Sequence, residues 1–141
     1  MSTSNYDFAA AQAHFQAKVA FTTGVHELDV LLASDTDPAS YPKTYQVVDV
    51  RYPADFEASR VPGAINLPQA RFSAAGAQRS GLNKDATLYL YCYNQTCHLA
   101  ALAAVALTAA GYKVIEVEGG FESYIARGYA VDESPLAMKS A

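Results

Sequence analysis

Apolar positions along the chain fall into short runs that alternate between helical and extended periods. Phe8, Phe15 and Val19 share one face of a predicted first helix, behind Ser4-Asn-Tyr-Asp7, which has the form of a capping box. Thr22-Thr-Gly24 interrupts that helix. Val25, Leu28, Leu31 and Leu32 form a second apolar face that stops near Ala33, before a loop over 34–44 rich in Asp, Ser and Pro. Tyr45-Gln-Val-Val-Asp-Val50 reads as a short β-branched strand. Pro53 suits the first turn of a helix running to about Ala58. In Val61-Pro-Gly-Ala-Ile-Asn-Leu67, Pro62 and Gly63 disfavour a central strand and predict a turn leading into a short edge segment.

Residues 69–84 are weakly patterned and suit a short helix and a loop. Residues 87–92 read as a strand, and the Ala/Leu-rich run over 98–110 as a strong helix stopped by Gly111. Residues 113–117 give the next strand, and Gly119-Gly120 a tight turn into a short helix over 121–127. The tail over 131–141 carries Pro135 and little pattern, which predicts a loosely held segment. Short strands separated by helices point to an α/β layer with a mostly parallel sheet. Ligands in such folds sit beyond the carboxyl ends of the strands, and Cys92 falls at such a point. No internal repeat marks a second domain.

Composition narrows the class. A chain of 141 residues suits one compact domain, and 51% hydrophobic with 17% charged residues argues against global disorder. A net charge of -4 without a basic stripe argues against nucleic-acid binding. The first residues lack the basic start and apolar core of a signal peptide. The longest apolar stretch, over 99–110, is alanine-dominated and too short for a membrane span. A soluble, cytoplasmic protein without membrane partners is expected. Its two cysteines, five positions apart, suit a local reactive pair better than a secreted disulfide framework.

Candidate chemistry centres on Tyr91-Cys-Tyr-Asn-Gln-Thr-Cys-His98, where a strand, a short loop and a helix meet. A thiol at Cys92 lies at the positive end of a helix dipole, among N–H groups without intrahelical partners, which favours thiolate and can cradle an anion. The alternative for Cys92 is a small buried hydrophobe. Cys97 suits either a packing residue in the first turn or a resolving thiol, if the loop brings the sulfurs together. Cys92, Cys97 and His98 supply three ligands where structural zinc takes four, so no metal or other cofactor is expected. His98 suits a neutral ring at the helix start, with proton donation or substrate contact as alternatives. Asp49, Arg51 and Glu57 read as an ion-pair and hydrogen-bond network fixing the end of the first long strand. Tyr91 and Tyr93 are expected to wall the loop, and the Tyr93 hydroxyl could meet a substrate.

Taken together, Val47-Val-Asp-Val-Arg51, Phe56-Glu57, Val61-Pro-Gly-Ala-Ile-Asn-Leu-Pro68, a strand ending at Cys92 and Gly111-Tyr followed by Glu118-Gly-Gly-Phe121 resemble a single-domain rhodanese, or sulfurtransferase, module. The resemblance runs over about residues 22–130, with residues 1–21 a helix packed on the domain. It implies a five-stranded parallel sheet with helices on both faces. It also implies a catalytic cysteine that takes up sulfane sulfur as a persulfide and hands it to a thiol or cyanide. By position, Cys92 matches that cysteine, Tyr93, Asn94, Gln95, Thr96 and Cys97 match its substrate-binding loop with His98 at its edge, and Asp49, Arg51 and Glu57 match structural residues. Asn94, Gln95 and Thr96 stand where many members have a mid-loop glycine, and Cys97 stands where arginine is frequent. Asn94 could supply the left-handed conformation of a glycine. The missing cation weakens the case for thiosulfate as donor, although Arg60, in Ser59-Arg60-Val61 where Gly-His-Ile is often seen, could bring one from outside.

The leading expectation is sulfur transfer from thiosulfate, a polysulfide or a persulfide through Cys92, with Cys97 as an acceptor that leaves a disulfide for a thioredoxin-like reductant; a thiol protein could also accept the sulfur. Two alternatives are a non-catalytic rhodanese-like binding or regulatory module, and a thiol-based arsenate reductase. A phosphatase needs a longer loop ending in arginine, and His98 is a poor substitute for a guanidinium.

Overall fold

The computed structural model describes residues 5–35 and 44–134. The segments Thr22–Thr23 (β1), Tyr45–Asp49 (β2), Ile65–Asn66 (β4), Thr87–Tyr91 (β5) and Lys113–Val117 (β6) form a five-stranded, wholly parallel sheet in the order β1-β6-β5-β2-β4. The central strand, β5, ends at the residue before Cys92. Val25–Ala33 (α2) crosses from β1 to β2, while Ala74–Arg79 (α4) and Leu99–Ala109 (α5) make the returns from β4 to β5 and from β5 to β6. The reversed direction of travel puts α2 on the opposite face from α4 and α5, as right-handed crossovers require.

Strand alternation feeds both faces. Val48, Leu88 and Leu90 pack under α4 and α5 with Ala77, Ala100, Ala103 and Leu107. Val47 and Tyr91 face the other way, into Val25 and Leu28 of α2 and Phe121 and Tyr124 of Gly120–Ala126 (α6). Helices on both faces explain why β2 and β5 read as nearly continuous apolar runs.

Pro53–Ala58 (α3) starts with proline in its first turn, and β4 lies at the sheet edge beside β2 among the described residues, as the sequence predicts. Three features differ from expectation. β1 is two residues long and gains its strand character from β6, so it carries no periodic signal of its own. Ser59–Arg60 (β3) pairs antiparallel with Asp132–Glu133 (β7), and the Tyr124 hydroxyl donates to the Ala130 carbonyl at 2.7 Å. The start of the predicted loose tail is therefore held; residues 135–141 lie outside the described ones, as do most of the predicted 34–44 loop and Ser4. The third difference is the first helix, Phe8–Phe21 (α1). Its cap is Asp7, whose carboxylate accepts from Ala10 N at 2.9 Å. No residue of α1 is buried, and the predicted packing face stays open, with Phe8 74% and Val19 82% exposed. α1 meets the sheet at its C-terminal end, through Lys18.

Candidate active site

Cys92 follows the central strand, and the chain turns over six residues, Tyr93 to His98, into α5. The Cα atoms of Cys92 and Cys97 are 6.3 Å apart and their sulfurs are joined, within the span that a disulfide tolerates. Cys92 is 2% exposed, while Gln95, Thr96 and His98 lie on the surface. His98 is the residue before α5, and its carbonyl takes the first helical bond, from Leu102 N at 2.9 Å. Both cysteines therefore sit at the N-terminus of an eleven-residue helix, where the aligned peptide dipoles favour a thiolate once the disulfide is opened.

Asn94 organises the loop, by a route other than the left-handed backbone the sequence suggests. Among the described residues only glycines have positive φ. Instead the Asn94 side-chain oxygen accepts from Thr96 N at 3.1 Å and Thr96 Oγ1 at 3.0 Å, and its carbonyl accepts from Cys97 N at 3.2 Å. In the disulfide form, two N–H groups of the expected anion cradle are thus spent inside the loop. Gln95 braces the outside: its amide donates to Glu118 at 3.2 Å and accepts from Gly119 N at 2.6 Å.

Beneath the loop, Phe121 N donates to the Cys92 carbonyl and Glu122 N to the Tyr93 carbonyl, both at 2.9 Å. Gly120 makes this approach feasible. It has φ of 64°, and a Cβ there would lie 2.7 Å from Asn94 N and 2.8 Å from the Cys92 carbonyl oxygen. Gly120→Ala is expected to cost about 1–3 kcal/mol from the left-handed backbone alone. The clash adds to that cost and lifts the loop, so a thermal melt should fall together with the rate at which a thiol reagent labels the reduced Cys92.

Asp49 and Arg51 form the predicted network, but its members differ. Asp49, 0% exposed, accepts from Arg51 Nε at 3.1 Å and Nη2 at 2.8 Å, and from the Tyr91 hydroxyl at 2.5 Å. Arg51 also donates to the Ser59 carbonyl, and its guanidinium lies 4.2 Å from the centre of the Phe121 ring. Burial pulls the Arg51 pKa down, and Asp49 more than offsets this, holding it above its ordinary value. Burial, then Asp49, raise that of the Tyr91 hydroxyl. This post ties β2, β5 and α6 together behind Cys92.

Glu57 is outside it: the residue is exposed, and among the described residues its side chain has no partner in this network, while its backbone carbonyl accepts from Arg60 at 3.2 Å. Tyr91 does not wall the loop, because strand alternation turns its ring to the α2–α6 face. The Tyr93 hydroxyl donates to Asp55 and accepts from Tyr52 N, which occupies it with the α3 corner rather than a substrate. Arg60 stacks on Phe56 and donates to the Phe56 and Glu57 carbonyls, so it brings no cation to the loop. Among the described residues no three His, Cys, Asp or Glu side chains are placed to hold a metal ion.

A cleft of about 310 Å³ opens beside the disulfide, between the start of α5 and the end of β6; its lining includes Cys92, Cys97, His98, Lys18, Glu116 and Glu118. Lys18 Nζ meets the two Glu118 oxygens at 2.7 and 3.0 Å, and this bond holds the Glu118 carboxyl below its usual range. Burial, then the neighbouring Glu118, push that of Glu116 up. Sequence reasoning missed these three residues. Alternation along Lys113-Val-Ile-Glu-Val117 could have pointed to Glu116; nothing local marks Lys18.

The family model for the rhodanese-like domain matches residues 34–127. An HTH-type transcriptional regulator of Mycobacterium tuberculosis is 32% identical over 87 residues, which is 62% of this chain and 37% of the regulator. The chain thus spans little more than a third of that relative. Among solved structures, the BH2092 protein of Bacillus halodurans superposes with a TM-score of 0.77 at 23% identity, covering 91% of this chain and 88% of the other. A thiosulfate sulfurtransferase of Pseudomonas aeruginosa gives a TM-score of 0.60 at 22% identity over 82% of this chain and 20% of that one. No helix among the described residues is long and apolar enough to cross a membrane.

Proposed function

This chain belongs to the rhodanese-like domain family, and on that premise we propose that it is a sulfurtransferase carrying sulfane sulfur as a persulfide on Cys92, with Cys97 as its resolving thiol. The observation that carries this reading is the Cys92–Cys97 pair, within bonding reach across one loop at the start of α5. A buried structural cysteine would need no such partner.

The cycle starts when a dithiol reductant of the thioredoxin type opens the disulfide. The Cys92 thiolate, favoured by the helix N-terminus, attacks the outer sulfur of a sulfane donor. A bond forms between Cys92 Sγ and that sulfur, the donor S–S bond breaks, and its electron pair leaves with the donor remnant. Cys97 thiolate then attacks Cys92 Sγ, the Cys92–Cys97 disulfide returns, and the outer sulfur leaves as hydrosulfide. An external thiol or cyanide can take the outer sulfur instead, which leaves Cys92 as a thiolate. With Cys97 as the acceptor, each turn reduces one sulfane sulfur to sulfide at the expense of one dithiol.

Cys97→Ser tests this route. The variant is expected to load one sulfur on Cys92 at close to the wild-type rate, and to keep it. With the reductant removed after loading, wild type releases sulfide and the variant does not. Equal sulfide release from both proteins would remove Cys97 from the mechanism.

A further inference from the structure

The cleft beside Cys92 has a charge pattern that discriminates among sulfur donors, an inference that rests on the sulfur-transfer reading. Glu116 pairs in register with Leu90 of β5. Leu90 faces α5, in the core with Ala100 and Ala103, so Glu116 is turned toward the helix start that carries Cys97 and His98. Glu118 follows two residues later and lines the same cleft. Lys18 and Gln95 satisfy Glu118, whereas no described residue donates a hydrogen bond to the Glu116 carboxylate, which burial and Glu118 press on and which His98 and Lys18 only partly offset from a distance. Lys18 is paired with Glu118, so the Glu116 carboxylate in this half-buried cleft has no ion-pair partner among the described residues. Arg51 and Arg60, the cations nearest in sequence to the first long strand's end, are committed elsewhere.

An inorganic dianion meets repulsion in such a cleft, strengthened by the lowered dielectric of partial burial. A donor carrying an ammonium group near its sulfane sulfur meets the opposite. We infer that Glu116 is a specificity-determining residue that selects amino-acid hydropersulfides, of the cysteine persulfide type, over thiosulfate. The α-ammonium faces Glu116, and the α-carboxylate faces the exposed His98 ring at the start of α5. A cavity of about 310 Å³ is at the small end for ligand sites, which run to ~1,000 Å³, and suits a donor of amino-acid size. Cys92 thiolate attacks the outer sulfur, the donor S–S bond breaks, and cysteine leaves as its thiolate with its ammonium group unchanged.

Matched donors test this. Reduced protein is mixed with cysteine persulfide, with N-acetylcysteine persulfide, which lacks the ammonium group, or with thiosulfate, and sulfur added to Cys92 is followed by mass spectrometry. Wild type is expected to load from cysteine persulfide about 10-fold faster than from the acetylated donor, equivalent to ~1.4 kcal/mol. Glu116→Gln should shrink that ratio toward one and raise the thiosulfate rate. A ratio unmoved by the substitution, or thiosulfate loading wild type as fast as cysteine persulfide, overturns the inference and leaves sulfur transfer standing. Loading from none of the three donors overturns sulfur transfer itself, and the inference with it. The wild-type donor comparison holds whether or not the variant folds.

Discussion

Cys92→Ser, reduced and exposed to a sulfane donor, is expected to gain no sulfur and to release sulfide at the uncatalysed rate. The loss should exceed ~10³-fold, the scale on which removing a nucleophile acts when the residues around it work as a unit. Serine keeps nearly the volume of cysteine at a position only 2% exposed, and its hydroxyl is far less nucleophilic than the thiolate it replaces. The fold should survive, because Phe121 N bonds the Cys92 backbone carbonyl rather than its side chain. Cys97→Ser behaves differently, losing sulfide release but keeping loading, and the contrast separates nucleophile from resolver. A Cys92→Ser protein that still transferred sulfur would place the chemistry elsewhere in the molecule.

Asp49→Asn is expected to destabilise the fold more than any of the cysteine or glutamate substitutions. It leaves the Arg51 guanidinium, 4% exposed, without its carboxylate partner, and breaking a buried pair from one side costs about 3–5 kcal/mol. The melting temperature of the reduced protein should fall by roughly 10 °C. Sulfur loading should slow as well, because Arg51 fixes Phe121 and Phe121 N holds the Cys92 carbonyl. Glu57→Gln is the matching control: with an exposed carboxylate outside the network, it should change stability by no more than ~0.5 kcal/mol. A Glu57→Gln effect as large as that of Asp49→Asn would restore Glu57 to the network.

The parallel sheet was legible because β2, β5 and β6 are each five residues of mostly apolar sequence, and buried strands advertise themselves in that way. Two-residue strands such as β1, β3 and β7 owe their state to a distant partner and leave no local pattern. Cys92, Cys97 and His98 could be placed at one junction because a strand, a loop and a helix are contiguous there. The far wall of the cleft comes from α1 and β6, remote in sequence, so Lys18, Glu116 and Glu118 are joined to Cys92 only by strand order. Glu57 and Arg60 depart from their expected roles for a related reason. Both follow closely on Asp49 and Arg51 in sequence, but the α3–β3 corner directs one to solvent and the other onto Phe56.

Sulfane transfer through Cys92 is tested most directly by peptide-level mass spectrometry of the wild-type protein. The protein is reduced, freed of reductant, mixed briefly with a persulfide donor and alkylated before digestion. The expected result is one added sulfur on the Cys92 peptide at short times, replaced by the Cys92–Cys97 disulfide as sulfide appears in solution. A folded, reduced protein that takes up no sulfur at Cys92 from any sulfane donor would contradict sulfur transfer and leave the domain as a binding module.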